Sequence, residues 1–316
     1  MRSEIGSEFW NIPVAGQNDL FPADTQWFRS GRSALTAILR EGRFRKAALP
    51  QWCCDSMILP FLKEGIQVEF YPVLEQTQLP EADVTLVMDY FGWKQCPVEP
   101  KGTVIRDLTH SLLRPADQSG DYCFGSLRKW AGFWTGGYAW GLKEPVRYEE
   151  NDGLCERLRR QAMEEKERYI SGLTDSKGYL SVFAQAEDAL EVHGVFPAAQ
   201  RDVLLARSLD VDLIRRRRRE NARVLLEGLG ELALFKELGE EDSPLFVPVL
   251  LDDRDRVRRH LIGHQVYCPV HWPKTDYHRL DTNAQKLYDH ELSLVCDQRY
   301  SPEDMERVVA LIRDIL

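Results

Sequence analysis

The sequence is short of several things, and each shortage excludes something. No apolar run approaches the ~20 residues of a bilayer-spanning helix, so none of the 316 residues reads as part of a membrane span. The opening stretch, Met1 to Glu8, has no apolar core segment and shows no secretory leader. Positive charge is not in excess: 41 Lys and Arg stand against 50 Asp and Glu, a net charge of −9. That balance argues against general nucleic-acid binding, because phosphate contacts need a basic face. The seven cysteines (53, 54, 96, 123, 155, 268 and 296) are odd in number and scattered, so they do not read as a disulfide framework. They read as reduced thiols of a cytoplasmic protein. There is no internal repeat and no low-complexity tract. Hydrophobic residues at 43% and charged residues at 29% exclude a wholly disordered chain.

What is present alternates strand and helix. Lys46-Ala47-Ala48-Leu49-Pro50 is a strand candidate, and Met57 to Lys63 carries helical apolar spacing that stops at Gly65. Ile66 to Tyr71 alternates with period two. Val84 to Met88, Thr103 to Ile105, Asp121 to Phe124 and Tyr138 to Trp140 are further short strands. Strands separated by helical stretches predict an α/β fold with a mostly parallel sheet covered on both faces. Later, Glu149 to Arg168 reads as a charged helix and Asp202 to Leu229 as one long helix, with a break allowed. Leu245 to Leu250 and Gln265 to Val270 read as strands, with a helix near Asp253 to Ile262. At the end Ser301 can cap a helix, Pro302 suits its first position, and Met305, Val308, Val309 and Ile312 form its apolar face. A length of about 150 residues per domain suggests two. The boundary is placed between a large α/β domain, 1–205, and a small α+β domain, 206–316.

Three pieces carry chemistry. Ser30-Gly31-Arg32-Ser33-Ala34-Leu35 opens a helix, and the N–H groups and positive dipole at such a start suit an anion. Arg32 and Ser33 add side-chain donors; a plain capped helix is the bland alternative. Asp107 follows a short apolar strand, near the edge where open parallel sheets bind ligands, with His110 three residues on. An Asp that merely caps a loop is the bland reading. Third, the strand Tyr122-Cys123-Phe124 leads into Gly125-Ser126-Leu127-Arg128-Lys129-Trp130 and then Gly136-Gly137. A lysine held at a strand end among apolar residues can form a Schiff base, against the bland reading of a surface Arg-Lys pair.

In their order and spacing these pieces resemble fold-type-I pyridoxal-phosphate enzymes, and most closely the DegT-like sugar aminotransferases. The resemblance covers about residues 28–141 well and runs more weakly from about 195 to the end. It rests on Ser30 to Leu35, Pro50 to Gly65, Met88 to Gly92, Asp107 to His110, and Lys129 with Gly136-Gly137. It implies aminotransferase fold type I, the cofactor pyridoxal 5'-phosphate in the large domain, and transfer of an amino group from an amino acid to a keto compound such as a sugar intermediate. Lys129 would hold the cofactor as a Schiff base and shuttle the proton. Asp107 would keep the pyridine nitrogen protonated, and His110 would lie near the ring's phenolic oxygen. Arg32, Ser33 and Ser126 would bind the phosphate.

The chain departs from the family in places. Phe124 stands where a serine is usual, Arg32 replaces a threonine, and Cys54 falls where an aromatic stacks on the ring. Trp52 and Tyr90 are the alternatives for that stacking role. Tyr90 and Arg299 are also substrate-binding candidates, Arg299 as a carboxylate clamp against the plainer reading of an ion pair with Asp297. The same Lys129 and Asp107 would serve a lyase or dehydratase, and a non-catalytic binding relative is a third reading. Trp130, Phe133 and Trp134 read as an apolar cluster that a second subunit would cover, which predicts a homodimer with shared active sites. His260, His264, Cys268, His271 and His278 fit no closed metal pattern, so no metal is expected. Arg215 to Arg219 sweep about 400° of a helix and read as a surface ion-pair segment.

Overall fold

The computed structural model describes residues 4–75, 78–94, 99–100, 102–114 and 119–316. Cys96 and the first three residues, on which parts of the thiol and leader readings rest, lie outside them. In chain order the elements are β1 (Ile5–Gly6), β2 (Gln26–Phe28), α1 (Gly31–Gly42), β3 (Lys46–Pro50), α2 (Asp55–Lys63), β4 (Gln67–Tyr71), β5 (Val84–Met88), β6 (Thr103–Asp107), β7 (Tyr122–Ser126) and β8 (Gly137–Trp140). They continue with α3 (Leu154–Ile170), α4 (Tyr179–Leu190), α5 (Gln200–Ala206), α6 (Val211–Leu229), β9 (Phe246–Leu250), α7 (Arg254–Gly263), β10 (Val266–Tyr267), α8 (Thr282–His290), β11 (Glu291–Val295) and α9 (Pro302–Ile315). The architecture is mixed α/β with a mostly parallel central sheet, as the alternation of elements predicts.

The chain divides into two units, each discontinuous in sequence. The first holds Glu4, Glu8–Arg43 and Tyr122–Asp210; the second holds Ile5–Ser7, Phe44–Asp121 and Val211–Leu316. In the first unit β2, β8 and β7 lie side by side and antiparallel. Gly137 of β8 pairs with both Phe28 and Ser126. The Ser30 backbone runs so close to it that a methyl there would stand 2.2 Å from the Ser30 carbonyl oxygen. Only glycine fits, and that fit sets where α1 begins. The α3–α4 hairpin has its own core of Ala162, Met163, Tyr169, Ile170, Tyr179, Val182 and Phe183.

In the second unit β6, β5, β3 and β4 are neighbours in that order, all parallel. β3, α2 and β4 make a strand–helix–strand crossover, which parallel pairing requires. β9 and β11 form a separate antiparallel pair. After β5 the turn at Phe91 and Gly92 takes φ of 56° and 76°. It is tied down by Leu245 N donating to the Phe91 carbonyl at 2.7 Å and Ser243 N to that of Gly92 at 3.0 Å.

One open reading is decided and one expectation needs correction. The segment 202–229 is not one helix: it breaks after α5, where Asn18 Nδ2 donates to the Ala206 and Leu209 carbonyls, each at 3.0 Å. That side chain satisfies helix-end acceptors that would otherwise need a continuing helix. The strand expected over 265–270 is only Val266–Tyr267. Beyond it the Pro269 carbonyl accepts from Ser293 N at 3.0 Å, outside the ladder.

Candidate functional site

In the first unit, α1 starts with Ser30 in extended conformation, its Oγ accepting from Ser33 N at 3.2 Å. The expected cap is therefore present, and Ser33 is buried behind it. A methyl on Gly31 would stand 3.4 Å from the Gly125 carbonyl and 3.6 Å from Ser126 Cβ. The helix start and the end of β7 are thus in contact, which brings Arg32 and Ser33 to the strand end that carries Ser126. Leu127 to Lys129 form a single 3-10 turn directly after β7. The Lys129 side chain is exposed rather than set among apolar residues, because the turn buries Leu127 and directs the lysine outward.

Arg128 takes the inward direction. Its guanidinium pairs with Glu187, which also pairs with Arg159 at 2.8 Å; Glu8 lies 3.6 Å from Arg159. Burial alone would push the Glu187 carboxyl up, but the two arginines outweigh it and hold it down to about 2. The partner 59 positions away could not be read from sequence, so this anchor beside Lys129 was not anticipated. Trp130 and Phe133 are fully buried. Trp134 packs on the α3–α4 core, with the Arg201 guanidinium 4.3 Å from its ring. The exposed apolar cluster that motivated a dimer is therefore absent.

In the second unit, Asp107 ends β6, is buried, and its Oδ1 accepts from Thr109 N at 2.7 Å. His110 stacks on Phe91 at 5.0 Å and on Trp272 at 5.6 Å. Trp52 stacks on Tyr90 at 4.7 Å, donates from Nε1 to the His271 carbonyl at 2.6 Å, and is fully buried. The Tyr90 hydroxyl donates to the Trp52 carbonyl at 2.6 Å, and burial keeps it far above its ordinary pKa. Cys54 is half-buried at the start of α2, its Sγ 2.9 Å from Ser56 Oγ. Arg299 is held by Asp297 through two bonds, Nε to Oδ1 at 2.9 Å and Nη2 to Oδ2 at 2.7 Å, and also reaches the Ser7 carbonyl at 3.1 Å. The plainer reading, an ion pair with Asp297, is the arrangement found.

No protein-family model and no curated protein sequence matches the chain. Solved structures do. A DegT DnrJ EryC1 StrS aminotransferase from Brucella abortus superposes with TM-score 0.61 at 14% identity, over 92% of this chain and 85% of that one. The chain has the fold of these enzymes. DesV of S. venezuelae, solved with a ketimine intermediate, gives TM-score 0.62 at 16% identity, over 92% and 84%. A Streptococcus pneumoniae protein in its apo-form gives 0.65 at 13%, over 97% and 91%, and is also solved in PMP and PLP forms.

Within this aminotransferase fold, the first unit brings the α1 start, which carries Arg32 and Ser33, to Ser126, and Lys129 follows at the end of the next turn. The second brings His110 to Trp52's aromatic group through Phe91, at 5.0 and 5.5 Å. The histidines and cysteine weighed for a metal are dispersed. His278 Nε2 meets the Tyr288 hydroxyl at 3.0 Å and the Cys53 carbonyl at 3.2 Å, while the His260 and His264 rings face each other at 4.5 Å. Among the described residues no group of three or more His, Cys, Asp or Glu is placed to hold a metal ion. The arginine run is not all surface. Arg216 and Arg217 pair with Glu220, but Arg218 is buried and donates to the Leu245 carbonyl at 2.8 Å and to Gln298 at 2.9 Å. Sequence reasoning also missed Glu291 and Ser293, whose carboxyl and hydroxyl groups lie in an otherwise apolar strand.

Proposed function

We propose that the chain is a pyridoxal-phosphate-dependent aminotransferase that moves an amino group from an amino acid to a keto compound of the keto-sugar kind. The observation that carries this reading is the first unit's arrangement on an aminotransferase fold. A serine-capped helix start, Ser126 at the adjoining strand end, and an exposed lysine follow one another there. The residues suit the cofactor. A phosphate wants backbone N–H groups and hydroxyls at a helix start, and an aldehyde wants an accessible amine. Bound pyridoxal phosphate supplies that aldehyde and a ring that accepts the electron pair left at the substrate carbon.

The chain's own residues do the rest. Arg32, Ser33 and Ser126 hold the phosphate. Lys129 Nζ would hold the cofactor covalently and would carry the proton that moves during transfer. Asp107, a buried carboxylate at a strand end, keeps a proton on the ring nitrogen. His110 serves the ring oxygen, and Cys54, Tyr90 and Arg299 are kept as lesser candidates for ring and substrate contacts. Residues 1–205 would form the cofactor-binding domain and 206–316 the small one. A homodimer with shared sites is kept on the strength of the family resemblance. A reducing, cytoplasmic setting is inferred from the odd number and scatter of the seven cysteines. No helix among the described residues is long and apolar enough to cross a membrane.

The test is spectroscopic. Purified protein titrated with pyridoxal phosphate should develop a saturable yellow absorbance that amino donors bleach. Lys129→Ala should lose it. Asp107→Ala should keep binding but slow the bleaching at least a hundredfold, since a neutral pyridine is a weak electron acceptor. Protein that stays colourless at saturating cofactor contradicts the reading.

A further inference from the structure

β11 carries two polar side chains on one face. Glu291 and Ser293 are two residues apart, so they point the same way. Opposite them in β9 stand Leu250 and Pro248. All three of Glu291, Ser293 and His271 are buried, Glu291 and Ser293 completely. Ser293 Oγ lies 2.8 Å from His271 Nδ1 and hydrogen-bonds Glu291 Oε1. The other carboxylate oxygen accepts from His271 N at 2.9 Å. The His271 ring in turn meets His110 edge-on, centroids 5.6 Å apart at 83°, and Phe246 at 5.0 Å. A carboxylate, a hydroxyl and an imidazole therefore stand in one unbroken buried line, and no step proposed above uses it.

We propose that Glu291, Ser293 and His271 form a buried proton relay, which takes up a proton at His271 Nε2, stores it on Glu291 and returns it by the same path. With Glu291 ionised, Ser293 donates to the carboxylate and accepts from His271 Nδ1–H. A proton arriving at Nε2 makes the ring doubly protonated. The Nδ1 proton then passes to Ser293 Oγ as the serine proton passes to Glu291. The ring ends neutral with its proton on Nε2, and the net proton sits on the carboxyl group. Reversing the steps releases it. The state of Glu291 thereby sets which ring nitrogen of His271 carries hydrogen.

The surroundings favour storage. Burial pushes the Glu291 carboxyl up to about 8, although its bonds to Ser293 and His271 N and the charge of Arg254 pull the other way. Arg254 is itself committed to Asp255 at 2.9 Å and the Tyr288 carbonyl at 2.7 Å. Cys268, whose thiol burial pushes up to about 12, stays protonated alongside. His290, next in the chain, turns Nδ1 to the Leu251 carbonyl at 3.0 Å. If His110 serves the cofactor's ring oxygen, as the aminotransferase reading has it, His271 is its positioning residue. The relay then ties the orientation of His110 to pH.

The experiment is nuclear magnetic resonance on the cofactor-free full chain, with 15N-labelled histidine and 13C-labelled glutamate. From about pH 6 to about pH 10, a range that spans the buried carboxyl's titration, one glutamate should titrate near 8, and His271 should change from Nε2–H to Nδ1–H in the same step. Glu291→Gln should remove that step. Ser293→Ala should leave the carboxyl titrating while His271 keeps one tautomer, and Ser293→Thr, which retains a hydroxyl, should restore the coupling. A His271 tautomer indifferent to the titration of Glu291 in the unaltered chain would overturn the relay. So would a coupled switch that survives in Ser293→Ala. No cofactor enters this measurement, so its failure is distinct from a failure to bind pyridoxal phosphate.

Discussion

At Gly137 one methyl group decides whether α1 can start where it does. The backbone of Ser30 occupies the space a side chain would need, leaving 2.2 Å between an added Cβ and the Ser30 oxygen. Gly137→Ala should therefore shift the helix start and cost about 3 kcal/mol, the range of overpacking strain, read by thermal melting. The Gly-Gly pair was legible in the sequence, but its reason was not, since Ser30 is remote in the chain. Glu187 shows the same limit, because nothing local marks it as the counter-ion of Arg128 and Arg159. Glu187→Gln removes one of the two carboxylates beside buried Arg159, Glu8 remaining at 3.6 Å, and should cost about 1 kcal/mol. Its carboxyl sits below its ordinary 4.5, so the native state binds fewer protons than the unfolded one at low pH. The stability it gives is complete above about 4.5 and is lost as pH falls toward 2. Acid melts of the variant should be flatter over that window. Glu291 has the opposite sign: raised to about 8, it lowers stability as pH climbs from 4.5 to 8, and Glu291→Gln should remove that decline.

Among elements, the ends were legible wherever a capping side chain is local. Ser301 accepts from Asp304 N and Asp304 reaches back to Ser301 N at 3.0 Å, a reciprocal cap that sequence spacing announces. Ser301→Ala should cost about 1 kcal/mol by thermal melting. Ser30→Ala should cost a similar amount and, on the proposed function, weaken pyridoxal-phosphate binding as well, whereas Ser301→Ala should leave binding unchanged. Comparing the two by cofactor titration separates a cap that only stabilises from one that also shapes a binding site. The strands β3, β5, β6 and β7 were legible from short apolar runs, although Thr85 interrupts that of β5 and β6 runs on through Arg106 to Asp107. α4 escaped notice although Tyr179, Val182, Phe183, Ala186 and Leu190 keep a helical apolar spacing and are buried. The break after α5 was not legible in detail, since a distant side chain, Asn18, ends it.

For the whole molecule, a cut between 205 and 206 follows the change in sequence character, whereas the compact units each collect separate stretches of chain. Local pattern records which segments are helix or strand; it does not record which distant segments pack together. The same holds for function. The order of Ser30 to Ser33, Asp107 and Lys129 was visible in sequence, and the contact between the α1 start and the β7 end gives part of it a physical form. The proposed chemistry turns on Lys129 as the residue that takes the cofactor. The direct measurement is borohydride reduction of protein saturated with pyridoxal phosphate, followed by peptide mass spectrometry. One pyridoxyl group is expected, carried by the peptide that contains Lys129. An unmodified Lys129 peptide, with label on another lysine or on none, would contradict it.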